Sequence, residues 1–140
     1  HLETHGLEVE ALQSVVGSVN VVAMDWKLAS EVVRAEPRPQ ETSFHSRHED
    51  FLRGARDGGA EVFVKVVVSP RTTEEELATM CGHIASISSD VPLVIQPVTP
   101  FGKVRDTPSA EDLIGWARSS KTVLSDVRVI PQTHRSYGAL

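Results

Sequence analysis

Val62-Phe63-Val64-Lys65-Val66-Val67-Val68, closed by Ser69-Pro70, is the strongest strand signal in the chain. Val19–Met24, upstream of it, is a nearly continuous apolar run without polar alternation, the mark of a strand covered on both faces, as in parallel sheets. Shorter runs of the same kind lie on either side. Leu2 leads into Glu3-Thr4-His5-Gly6, and Val19–Met24 leads into Asp25-Trp26-Lys27. Downstream, Val91–Ile95 leads into Gln96-Pro97-Val98-Thr99-Pro100, and Val127–Ile130 into Pro131-Gln132-Thr133-His134. Each apolar run thus ends in a cluster of polar, Gly or Pro residues.

Helical spacing fills the intervals. After Gly6, Val9, Leu12, Val15 and Val16 recur with helical period, and Gly17-Ser18 closes that segment. Residues 35–43 hold two prolines and several charges and read as an exposed loop. Phe44–Asp57 follows as a helix anchored by Phe51 and Leu52 and ended by Gly58-Gly59. Thr73 with Glu76 predicts a capping box, after which Leu77, Met80, Cys81, Ile84 and Ile87 form one apolar stripe. A last helix from about Ser109 carries Leu113, Ile114, Trp116 and Ala117.

Strands that alternate with helices pair in parallel through right-handed crossovers. No Gly-rich phosphate fingerprint follows any strand, which disfavours a dinucleotide-binding sheet. The expected fold is therefore α/β, a partial (β/α) barrel of parallel strands. Such folds bind ligands at the C-terminal ends of their strands, so the polar clusters read as the rim of one site.

Composition sets the outer limits. At 140 residues the chain suits one domain or a piece of a larger one, and 40% hydrophobic with 24% charged residues is ordinary for a globular protein. A net charge of −5 offers no basic footprint for nucleic acid. No apolar stretch approaches the ~18 residues of a membrane helix. A single cysteine, Cys81, excludes an intrachain disulfide and suits a cytoplasmic protein. The chain opens at His1 inside or just before a strand, so an upstream part of the fold is expected.

Each cluster admits two readings. Thr4 could hydrogen-bond a ligand and Gly6 could let backbone approach one, or both could serve the turn into the helix. Asp25 and Lys27, at the end of a buried strand, must be hydrated, paired or used on a ligand. Lys65 either points into a barrel interior, where it needs a partner, or snorkels from an edge strand. Gln96 and Gln132, each beside proline, could read a polar ligand through amide donor and acceptor, or anchor their loops. His45 and His48 share a helix face, but Ser46, Arg47, Glu49 and Asp50 around them read as solvated surface, and no third metal ligand is near.

Taken in order, ETHG (3–6), MDWK (24–27), VFVKVVVSP (62–70), VIQPVTP (94–100) and VRVIPQTHRSYG (127–138) resemble the C-terminal half of radical S-adenosylmethionine enzymes, most of all the 7-carboxy-7-deazaguanine synthase family. That family shows ETNG, a strand-end tripeptide finishing in Lys, a QP pair and a terminal QTHK. The resemblance implies that Thr4 contacts substrate and Gly6 approaches S-adenosylmethionine. It implies that Asp25, Trp26 and Lys27 line the S-adenosylmethionine pocket, with Gln96, Pro97, Val98 and Thr99 on its other side. The family's chain terminus approaches substrate, which brings in Leu140. The implied reaction is a radical ring contraction of 6-carboxy-tetrahydropterin to 7-carboxy-7-deazaguanine in queuosine biosynthesis. It uses a 4Fe-4S cluster, Mg²⁺ and a reductant protein such as flavodoxin, in a cytoplasmic enzyme with a homodimer possible.

The departures are equally specific. The family's C-x3-C-x2-C loop, the Thr that follows it and binds Mg²⁺, and a Gly-Gly-Glu stretch are all absent, and His5 replaces the usual Asn. The expectation is a single, incomplete barrel domain over 1–140, inactive alone because cluster and Mg²⁺ ligands lie outside it. Two alternatives stand beside it. Glu3, Thr4, Asp25 and Lys27 also fit a glycyl-radical-enzyme activase, and the polar rim also fits a cluster-free α/β small-molecule-binding module.

Overall fold

The structure, a computed structural model, describes residues 1–31, 44–100 and 106–132. The loop read at 35–43, and Leu140 with the end of the QTHR segment, lie outside the described residues. Five strands form one sheet: β1 (Leu2–Thr4), β2 (Val21–Trp26), β3 (Glu61–Val68), β4 (Leu93–Pro97) and β5 (Val127–Val129). They lie in the order β1-β2-β3-β4-β5, and every adjacent pair is parallel.

Four helices separate them: α1 (Val9–Val15), α2 (His45–Asp57), α3 (Glu74–Ile87) and α4 (Ala110–Ser120). Their apolar faces all meet one core. Leu12 of α1, Phe51, Leu52 and Ala55 of α2, Leu77, Met80, Cys81 and Ile84 of α3 and Trp116 of α4 join Val22, Met24, Trp26, Val62, Val64, Val66, Val68, Leu93, Ile95 and Val127 of the strands. Those strand residues are alternate positions, so all four helices lie on the same face of the sheet. Sequential strand order with helices on one face is the geometry of a barrel arc. A doubly wound sheet reverses its strand order and carries helices on both faces.

Local chemistry accounts for the helix ends. Thr73 Oγ1 accepts the Glu76 N–H at 3.1 Å, and Glu76 accepts the Thr73 N–H at 3.2 Å, completing the capping box of α3. Ser109 caps α4 through the Asp112 N–H at 3.0 Å. At the end of α2, Gly58 remains helical while Gly59 turns to φ +87°, which favours glycine.

Several strand boundaries differ from the sequence expectation: β1 includes Glu3 and Thr4, and β2 and β4 begin two residues late, at Val21 and Leu93. β2 continues through Asp25 and Trp26, and β4 continues through Gln96 and Pro97, all of which read as loop. Gln96 still pairs with Val67 and Pro97 with Val68. The ladder explains the proline: Leu93 N–H and Ile95 C=O bond toward β5, so position 97 turns its missing donor to that same side. β5 pairs only as far as Ile95, and no ladder bond is lost there.

Candidate functional site

The register places the charged side chains side by side at the C-terminal half of the sheet. Asp25 stands opposite Lys65, and Glu3 opposite Ala23, on the face away from the helices. Lys65 Nζ lies 3.3 Å from Asp25 Oδ1 and 3.9 Å from Glu3 Oε1, while Lys27 Nζ lies 3.8 Å from Asp25 Oδ2. Lys65 is therefore a central-strand lysine with partners, and edge snorkelling is excluded. Two ammoniums and two carboxylates span three strand ends with no net charge. The Lys65 side chain is only 18% exposed, whereas Glu3 is 70% exposed. Such half-exposed pairs contribute about 0–1 kcal/mol each, so they can rearrange around a charged ligand at small cost. The cluster presents both ammonium and carboxylate groups, the complements of the two charged ends of an amino-acid zwitterion.

On the helix side of the same strand ends, a histidine does what the sequence did not lead us to expect. His48 is fully buried, not part of a solvated surface. Its Nε2 accepts the Lys27 backbone N–H at 3.0 Å, and its Nδ1 lies 2.9 Å from the Gly6 carbonyl oxygen. A carbonyl only accepts and an amide N–H only donates, so the ring carries its proton on Nδ1 and is neutral. Burial is the main cause that lowers its pKa to about 4. The Trp26 indole packs against this ring at 4.7 Å and donates from Nε1 to His45 Nδ1 at 3.1 Å. His45 in turn stacks on His83 at 4.5 Å, and His83 pairs with Glu49.

The Thr4–Gly6 turn closes this arrangement. Thr4 Oγ1 accepts the Gly6 N–H at 3.2 Å, and Gly6 adopts φ +66°. A Cβ on Gly6 would stand 2.7 Å from Met24 Cε and 3.1 Å from His48 Nδ1. The positive φ, together with the crowding by Met24 and His48, favours a glycine at this position. Across the site, Gln96, Pro97, Val98 and Thr99 are half-buried, and the Val98 N–H reaches Val68 C=O at 2.9 Å, keeping this segment extended beside β3. The structure brings Thr4, Gly6, Asp25, Trp26 and Lys27 together on β1 and β2. Gln96–Thr99 stands two strands away from β2 on the same sheet edge.

The chain is 33% identical over all its 140 residues to the 7-carboxy-7-deazaguanine synthase of Geobacter sulfurreducens. The chain resembles 7-carboxy-7-deazaguanine synthase from end to end. It spans about half of that relative, 52% of its length. No family model matches the chain.

Donor chemistry separates the cofactors that the sequence resemblance implies. Cys81, the single cysteine, is buried on α3 with its Sγ 3.4 Å from Ser120 Oγ, and burial pushes its thiol pKa up. It belongs to the helix-side core and does not fit an iron–sulfur cluster. No group of three His, Cys, Asp or Glu suited to a metal ion occurs among the described residues. The strand-end charges, by contrast, do fit the amino-acid portion of S-adenosylmethionine. A groove of ≈ 330 Å³ lined by Ala60, Val62, Asp90 and Pro92 lies at the opposite, N-terminal ends of β3 and β4, the side that serves stability in such barrels. No described helix is long and apolar enough to cross a membrane.

Proposed function

We propose that this chain is the C-terminal, ligand-facing part of a radical S-adenosylmethionine enzyme, a 7-carboxy-7-deazaguanine synthase. The observation that carries this reading is the identity to that enzyme along the whole chain. Lys27 and Asp25 would hold the carboxylate and ammonium of S-adenosylmethionine, with Trp26 packed behind them. Gln96, Pro97, Val98 and Thr99 would form its second wall. Gly6 approaches the same ligand, while Thr4 and the terminal Leu140 would contact 6-carboxy-tetrahydropterin.

When bound, S-adenosylmethionine supplies the 5′-deoxyadenosyl group for hydrogen abstraction, and ring contraction with loss of ammonia gives 7-carboxy-7-deazaguanine. This chain's own share is to bind, orient and shield. The cluster and Mg²⁺ require ligands from outside the chain, so 1–140 is an incomplete barrel domain and is inactive alone. A small electron-transfer protein of the flavodoxin kind, a cytoplasmic location and a homodimer complete the reading. The likeness to the synthase favours it over a glycyl-radical-enzyme activase or a cluster-free binding module.

Titration of S-adenosylmethionine into the isotope-labelled chain, followed by amide chemical shifts, tests the proposal. Saturable changes centred on Lys27 and Gln96 are expected. Changes centred on Ala60 and Asp90, or none at all, would refute it.

A further inference from the structure

We propose that His48 is a positioning residue of the cofactor pocket: its neutral ring, sitting behind the strand ends, fixes the backbone at Lys27 and Gly6 so that both face the ligand. The inference rests on the S-adenosylmethionine reading above and adds to it a residue outside every strand-end cluster.

Three observations carry it. First, both ring nitrogens are committed to backbone atoms of the two segments that reach the ligand, Lys27 N–H at 3.0 Å and Gly6 C=O at 2.9 Å. A phenyl ring would fill the same volume and hold neither. Second, Gly6 lies two residues past the last β1–β2 ladder pair, Thr4 with Met24, so the ladder does not itself hold Gly6 in place. Third, Gly6 is shaped to receive the ring, since the position of its absent Cβ lies 3.1 Å from Nδ1. The Trp26 indole covers one side of the imidazole, and Phe44 meets it edge-on at 6.2 Å.

The arrangement also dictates which protonation state works. Protonation would place a second N–H at Nε2, facing the Lys27 N–H, and that contact would turn from hydrogen bond to repulsion. The charged and titratable groups facing His48 are Lys27 and Asp25 of the β2 end and His45 on its own helix. Lys27 and His45 disfavour the imidazolium and Asp25 favours it, while burial outweighs them all.

Three variants of the 140-residue chain separate positioning from packing. His48→Phe keeps ring volume, His48→Asn keeps a donor near Nδ1, and His48→Gln can place a carbonyl oxygen near Nε2. The readouts are the exchange rate of the Lys27 amide, relative to the Val64 and Val66 amides, and the dissociation constant for S-adenosylmethionine. We expect His48→Phe and His48→Asn to raise Lys27 exchange and weaken binding, each by about tenfold, the loss of one hydrogen bond. His48→Gln should recover most of both. An unchanged Lys27 amide in His48→Phe would overturn the proposal; if that variant does not fold, equal Lys27 exchange in Asn and Gln does so instead. Parent-like binding in all three variants would overturn it as well. Failure of the parent chain to bind S-adenosylmethionine is a separate result, which removes the cofactor reading and with it this role.

Discussion

Acid should unfold this protein through His48, and the magnitude follows from its burial. The ring is neutral in the fold and its pKa lies at about 4, against 6.5 for the free side chain. The folded state therefore refuses a proton that the unfolded chain accepts, and stability falls as pH drops below about 6.5. The full difference is worth about 3 kcal/mol once the pH reaches about 4, and about 2 kcal/mol of it is already lost at pH 5. Against the 5–15 kcal/mol that typically holds a domain together, this is a large share for one side chain. Burial also lowers the pKa of His45, so the total slope will exceed that of His48 alone. Comparison with His48→Gln isolates the term. Urea unfolding followed by tryptophan fluorescence suits the measurement, because Trp26 is 1% and Trp116 7% exposed. The parent should be the more stable of the two at pH 7.5 and lose that lead by pH 5. Parallel stability curves from pH 7.5 to 5 would show that the imidazole does not titrate as the geometry demands.

Two further outcomes follow from packing. Gly58→Ala places a Cβ 2.2 Å from Val16 Cγ2, a short, stiff side chain, and should cost about 1–3 kcal/mol, whereas Gly82→Ala meets nothing within 4 Å inside α3 and should gain about 0.5–1 kcal/mol. Denaturant midpoints moving in the same direction for both would contradict this. Cys81, buried with a raised thiol pKa, should react with a disulfide reagent at neutral pH only as fast as the protein opens; modification that outpaces unfolding would place the thiol at the surface.

The strands were legible because their apolar runs are nearly continuous, and α3 because Thr73 and Glu76 announce its start. The end of β2 was not, for a physical reason. Asp25 reads as a loop residue, yet it keeps its place in the ladder because Lys65 stands opposite and supplies a charge. Gln96 was misjudged in the same way, since the strand-end face of the sheet tolerates a polar side chain while the backbone goes on pairing. His48 was obscured by its neighbours, as Ser46, Arg47 and Asp50 are exposed. Its spacing nevertheless held the signal, since 48, 51, 52 and 55 are the buried positions of α2 and follow the i, i+3, i+4, i+7 rule. A histidine in phase with an apolar stripe belongs to the core, whatever surrounds it. No periodicity could have shown that its two nitrogens answer to Gly6 and Lys27, because those contacts cross 42 and 21 residues.

The two faces of the sheet divide the labour of fold and site. Toward the helices, Val22, Met24, Val64, Val66 and Ile95 are apolar and completely buried. On the opposite face β3 opens with the exposed Glu61, Ala23, Phe63 and Val94 then give an apolar band, and Asp25 and Gln96 follow at the ends of β2 and β4 with Lys65 past the middle of β3. Asp25, Lys65 and Lys27 therefore gather toward the end of the sheet where a barrel presents its ligands, above an apolar band that holds the register. That division leaves one weak point. Gly6 stands two residues beyond the last ladder pair of β1, Thr4 with Met24, where the sheet no longer fixes the backbone. A buried imidazole reaching from α2 to Gly6 and Lys27 meets that need from the helix side, so the strength of the core is passed to the rim through His48. It follows that the site's order should depend on α2 more than on the ion pairs at the rim itself.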